Sequence, residues 1–284
     1  MKAVTIITDS TSDLSKELLE KFDIRVLPLH VSLGDMEFLD GVDITPDYLY
    51  RWSDINKATP KTSAVSISDT RTCLENVLNI AEKAIVFCIS GEISSSYSVV
   101  KMVAEEMQMQ DRIFVIDSRN LSTGIGQQIM EAAAMIEKGI QAEEIVKQIK
   151  EIRPYVRTSF VVDTLTYLHR GGRCSDIVAL AGGVLKLHPC IFVSNGKMHV
   201  GRKYRGNIKK AIDDYIFDLE TELINAKSDR IFITHSIGDD EIIETVKKQL
   251  EELHRFEEIY VTKVGSVISS HCGPGTLGIS FIAS

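Results

Sequence analysis

The chain has 284 residues, long for a single hydrophobic core, since such cores stop growing near ~250–300 residues, so two lobes of unequal size are expected. Its 44% hydrophobic and 25% charged residues are those of a globular protein, and a formal net charge of -8 argues against nucleic-acid partners, whose phosphates call for clustered Lys and Arg. No apolar run approaches the ~20 residues that cross a bilayer, and Asp9 interrupts the first apolar stretch before it can act as a signal core. The five cysteines are odd in number and contain no CxxC pair, which points to a reducing cytoplasm without a zinc site.

In chain order, residues 2–8 read as a buried strand and 13–21 as an amphipathic helix. A second strand is expected from Ile24 to Leu33. Thr45-Pro46 reads as a cap followed by a first-turn proline, opening a short helix to Ser53. Helical spacing covers 68–83, a strand 84–89, a helix 95–109, a strand 112–116, and helices 121–138 and 142–152. Strands alternating with helices imply crossover connections and a mostly parallel sheet, with ligands beyond the carboxyl ends of the strands.

Arg153-Pro154 breaks the pattern and sets the expected boundary, giving an N-terminal α/β domain at 1–154 and a C-terminal α/β domain at 155–284. The loop 60–66 is expected to contact or join the second lobe. The second half opens with a strand at 158–162. Residues 189–193 and 198–204 flank Asn195-Gly196, a strong hairpin signal, so this half reads as a mixed sheet. A helix at 208–225, a strand at 230–235, a helix at 240–255 and strands at 257–264 and 278–283 complete it.

Small hydroxyl residues recur after the strands of the first half. Asp9-Ser10-Thr11-Ser12-Asp13 is explained by ordinary helix capping. Ser94-Ser95-Ser96 exceeds what one cap needs, and a helix N-terminus there offers free N–H groups to an oxyanion. Pro60 to Ser66 is a second loop of similar character. In the second half, Arg170-Gly171-Gly172-Arg173 places two guanidinium groups around a tight turn, which a glycine C-cap with basic neighbours also explains. Ser270-His271-Cys272-Gly273-Pro274-Gly275 reads as a sharp loop with His271 able to project into a cleft. Asp176 to Leu187 mixes large and small apolar residues, consistent with a core helix or with a narrow apolar slot.

Enzyme templates fit poorly. There is no GxSxG, GxxxxGK[ST] or HExxH, and Gly124-Ile125-Gly126 lacks the third glycine of a dinucleotide fingerprint. The competing catalytic reading is a serine or cysteine hydrolase or acyltransferase built on Ser94, His271 and Cys272, for which no orienting acid is visible.

Taken together, these segments resemble the DegV family of bacterial fatty-acid-binding proteins. The resemblance rests on Thr8-Asp9-Ser10-Thr11, Thr62-Ser63 with Ser66, Ser94 to Tyr97, Asp117-Ser118, Tyr167 to Arg173, Leu185-Lys186 with Pro189, and Ser270 to Gly275, in family order across nearly the whole chain. It implies two α/β lobes enclosing a long-chain fatty acid, without a catalytic residue, metal or cofactor. It implies that Thr62 and Ser94 bond the ligand carboxylate, with Ser63, Ser95 and His271 beside them. Arg170, Arg173 and Arg205 would form a basic surface near the opening, toward a partner fatty acid kinase that phosphorylates the presented carboxylate. A cytoplasmic monomer with at most transient membrane contact is expected. Where the family loop commonly has glycine, this chain has Ser95, and Ala64-Val65 replaces the usual Gln-Pro.

Overall fold

The computed structural model describes residues 1–176 and 187–284. The first half contains β1 (Lys2–Asp9), α1 (Lys16–Lys21), β2 (Arg25–Leu27), β3 (His30–Leu33), β4 (Met36–Leu39), α2 (Pro46–Asn56), β5 (Lys61–Ser63), α3 (Ile67–Leu78), β6 (Ala81–Cys88), α4 (Ser96–Glu106), β7 (Ile113–Asp117), α5 (Thr123–Glu137) and α6 (Ala142–Ile152). The second contains β8 (Val156–Val161), α7 (Thr166–Gly171), β9 (Leu187–Ser194), β10 (Lys197–Arg205), α8 (Ile208–Ile224), β11 (Arg230–His235), α9 (Asp240–Glu252), β12 (Glu258–Lys263), α10 (Ser266–Cys272) and β13 (Leu277–Ile282).

The fold is mixed α/β. Strands β2-β1-β6-β7 form a wholly parallel sheet, as crossover helices require. Strands β10-β9-β8-β13-β11-β12 form a mixed sheet in which β11 and β12 run parallel and the other pairs antiparallel. The β9–β10 hairpin turns through Asn195 and Gly196 at φ 51° and 81°, the left-handed pair that a two-residue hairpin turn demands.

Among the described residues three apolar cores result. One is shared by the two large sheets, with Phe87 and Ile116 from the first half meeting Phe160, Ile191 and Phe232 from the second around the buried Ile125 and Ile129 of α5. A second lies under α3 and α4, and a third between the mixed sheet and helices α8 and α9.

Several sequence expectations need correction. The strand expected over 24–33 is two strands in different sheets, β2 and β3, separated at Pro28; proline has no N–H to continue a ladder. Strand β3 instead joins β4 and β5 in a three-stranded antiparallel sheet, so part of the 60–66 loop is a strand. The helix expected over 68–83 stops at Leu78, because Ala81 to Cys88 is committed to β6 in the parallel sheet. Residues 13–21 begin helical structure only at Lys16, after a 3-10 turn at Ser10–Ser12 capped by Asp9. His271 and Cys272 lie in the last turn of α10 rather than in a loop. Residues 177–186, most of the apolar 176–187 segment, lie outside the described residues, as do Leu185 and Lys186.

Candidate functional site

Three buried carboxyls build the floor on which the site stands. Asp9, at the end of β1, accepts from Thr11 N through Oδ1 and from Ile89 N through Oδ2 at 2.7 Å, which ties the carboxyl ends of β1 and β6 together. Asp13 accepts from Gly265 N at 2.8 Å and pairs with Ser122 Oγ. Asp40 accepts from Ser266 N at 2.6 Å. Residues of the first half therefore hold the start of α10 from the second. Burial pushes the carboxyl of Asp9 up to about 6 and that of Asp13 up to about 8, and it raises Asp40 as well.

Above this floor lies a cavity of about 290 Å³. Strand β5 contributes Thr62 and Ser63, the turn before α4 contributes Ser94 and Ser95, and α10 contributes Val267, Ile268, His271 and Cys272. Helix α7 contributes Leu168, and Arg173 follows just beyond it. The remaining wall includes Leu29, Ile89, Ile93, Leu121, Phe160 and Met198. Hydroxyls, an imidazole and one guanidinium thus share a cavity whose other walls are aliphatic and aromatic, the usual makeup of a small-molecule site.

Thr62 Oγ1 lies 2.8 Å from His271 Nε2. Burial, and then the Arg173 cation, hold the His271 imidazole down to about 4, so it is neutral at physiological pH. Its Nδ1 is shut off from solvent without a partner. Gly171 packs against the same ring: a Cβ at that position would come within 2.3 Å of Nδ1. Arg173 is tied back by its Nη1, which donates to Gly171 O at 2.6 Å.

Ser94 is half-buried and Ser95 exposed. Ser94 Oγ lies 3.1 Å from Ser96 Oγ and accepts from Ser96 N. Ser95 is the N-cap of α4 but makes no side-chain bond to the first turn, which leaves first-turn amides at the positive end of the helix dipole. Its φ of -79° and ψ of 0° are open to any L-residue, so this backbone does not require the glycine of the family pattern.

The sequence-derived residues Thr62, Ser63, Ser94, Ser95, His271 and Arg173 all line one cavity. Arg170 and Arg205 are exposed and do not line it. The Ser94–His271 pair of the hydrolase reading does not form, because Ser94 bonds within its own turn and His271 bonds Thr62. Burial pushes the Cys272 thiol up to about 12, leaving it unsuited to act as a thiolate. Among the described residues, no group of His, Cys, Asp and Glu is arranged to hold a metal, and no helix is long and apolar enough to cross a membrane.

Sequence reasoning missed the apolar walls. Val267 and Ile268 share one face of α10 with His271 and Cys272, but so short a helix carries too few apolar repeats to be told from a loop. A second chamber of about 30 Å³ shares Leu121, Phe160, Ile268 and Cys272 with the first. Its hydroxyls are spent within the protein: Thr123 with Thr234 at 2.7 Å, Thr158 with Ser280, Ser122 with the Asp13 carboxyl, Ser159 with the Tyr215 hydroxyl, and Thr276 with Cys272 O.

A family model described as "Uncharacterised protein, DegV family" matches residues 3–284. A DegV domain-containing protein of Deinococcus radiodurans is 30% identical over 278 residues, 98% of each chain. The fatty-acid-binding DegV family protein of Thermus thermophilus superposes with a TM-score of 0.90 at 28% identity, over 99% of this chain and 100% of that one. A stearic acid-binding protein of Eubacterium ventriosum superposes with a TM-score of 0.84 at 28% identity, over 100% and 98% respectively.

Proposed function

Since the chain belongs to the DegV family, we propose that it binds a long-chain fatty acid in the cavity between its two large sheets and presents the carboxylate to a partner kinase, which converts it to an acyl phosphate. The observation that carries this reading is the polarity of the cavity, with Thr62, Ser94, His271 and Arg173 among otherwise apolar walls. The fatty-acid and stearic acid binding of the Thermus and Eubacterium proteins supports it.

In this reading Thr62 and Ser94 donate their hydroxyl protons to the carboxylate, with Ser63, Ser95 and the α4 amides beside them. Hydrogen bonds to a charged group of this kind contribute about 1.5–3 kcal/mol. His271, being neutral, orients Thr62 through its ring nitrogen instead of pairing as a cation. Among the described residues Arg173 supplies the one positive charge of the cavity wall, which favours the anion without a fully buried ion pair. The tail runs past Leu121, Phe160 and Ile268 toward the smaller chamber, where each buried methylene contributes about 0.8 kcal/mol. Affinity thus comes from the chain, and orientation from the headgroup.

Titration of delipidated protein with oleate and palmitate tests the headgroup assignment. Thr62→Ala and Ser94→Ala should each weaken binding by about 1–3 kcal/mol. Unchanged affinity in both removes their role. With fatty acid bound, Arg173→Ala should slow phosphorylation by the partner kinase; an unaltered rate removes Arg173 from that surface.

A further inference from the structure

A second concave site, sharing no residue with the acyl cavity, lies where the β9–β10 hairpin meets the first half of the chain. It is a groove of about 220 Å³ lined by Arg119, Arg153 and Arg157 together with Asn120, Ser194 and Asn195. Arg119 comes from the loop after β7, Arg153 from the turn after α6, and Arg157 from β8. Among the described residues no Asp or Glu lines the groove.

Each guanidinium is held by one backbone carbonyl. Arg119 Nη2 donates to Asn195 O at 2.9 Å, Arg153 Nη1 to Asp117 O at 2.8 Å, and Arg157 Nη1 to Pro154 O at 2.7 Å. None of the three forms an ion pair among the described residues. The neighbouring carboxylate, Asp117, has its Oδ1 engaged by Gly91 N and Arg119 N. Asn120 is buried, and its Oδ1 accepts from Leu121 N.

Three cations lining one groove with no carboxylate in its wall repel one another, although a chain of net charge -8 has acid enough to supply them with partners. The carbonyl tethers fix the planes of the guanidinium groups while leaving most of their five donors unused. A carboxylate offers two coplanar oxygens, whereas a phosphate is tetrahedral: a monoester presents three non-bridging oxygens and up to two charges, and a diester headgroup two non-bridging oxygens and one charge beside its ester oxygens, acceptors suited to donors drawn from three separate chain segments.

We propose that the Arg119–Arg153–Arg157 groove is a binding site for a phosphate group, carried either by a small phosphate ester or by a phospholipid headgroup. It is separate from the fatty-acid cavity and does not depend on that cavity's assignment.

Calorimetric titration of the full chain with glycerol 3-phosphate, at ionic strength matched with chloride, tests the soluble source. Co-sedimentation with phosphatidylglycerol vesicles, against phosphatidylcholine vesicles, tests the lipid source. The variants are Arg119→Gln and Arg157→Gln, both at exposed positions, each checked for an unchanged circular dichroism spectrum and unchanged oleate affinity. Saturable glycerol 3-phosphate binding that weakens at least tenfold in each variant establishes the soluble ester. Phosphatidylglycerol-dependent sedimentation that is lost in both variants establishes the headgroup. The proposal is overturned if neither probe binds, or if either binds the wild type and both variants alike.

Discussion

A neutral imidazole 2.8 Å from a threonine hydroxyl is a hydrogen-bonding and space-filling group, not a charge. His271 therefore matters through its position, and Gly171 sets that position. Glycine inside α7 should be inferior to alanine by about 1 kcal/mol on helix propensity alone. The approach of a Cβ to within 2.3 Å of Nδ1 outweighs this, because forcing atoms into a packed site costs about 1–3 kcal/mol. Gly171→Ala should therefore lower the urea midpoint and weaken oleate binding together; a stabilised protein with full affinity would show that the ring is not held this way. Residue identities at the site were legible wherever hydroxyls clustered, as at Thr62-Ser63 and Ser94-Ser95. The aliphatic wall at Leu29, Ile89 and Met198 was not, since an apolar side chain facing a cavity and one facing a core look alike in sequence.

At the scale of elements, α10 is the piece that unites the site. It is only seven residues long, too short to be stable by itself, and it depends on Asp13 and Asp40 accepting from its first amides. Burial raises Asp13 from its ordinary 3.8 to about 8. For a raised carboxyl the folded state binds the extra proton, so its contribution to stability is complete below about pH 4 and is lost as pH rises toward and through 8. His271, lowered to about 4, acts in the opposite sense but only below about pH 6.5. Between pH 6.5 and 8.5 the unfolding free energy should therefore fall, with a slope up to about 1.4 kcal/mol per pH unit. Asp13→Asn, which keeps an acceptor for Gly265 and an amide for Ser122, should flatten that slope in urea unfolding series. An equally steep profile in the variant would exclude Asp13 as its source. Long periodic elements such as α5 and α8 were legible from spacing, and so was the Asn195-Gly196 turn. Helices α7 and α10 were not, because one or two turns carry too few apolar repeats to be told from a loop. The β2–β3 break was written in Pro28, but reading it required knowing that the two strands serve different sheets.

For the whole molecule, the decisive feature is that the two large sheets share a core and yet leave a cavity within it. Phe160 and Leu121 belong both to that shared core and to the cavity wall, so the packing that joins the halves also shapes the ligand space. Alternation of strand and helix made the parallel sheet predictable, and the hairpin signal made the mixed sheet predictable. The cavity itself arises only when distant segments meet, as Thr62 and His271 do across 209 positions, and no local pattern encodes it. The small second chamber extends the apolar space behind Cys272 and Ile268, which suits a ligand with a long tail and a single polar end. Native mass spectrometry of the protein purified without added lipid tests this most directly. The account predicts a mass increment of one long-chain fatty acid per chain, removable by delipidation and restored by oleate or palmitate. A protein that stays at its polypeptide mass throughout, with no uptake of either acid, would contradict it.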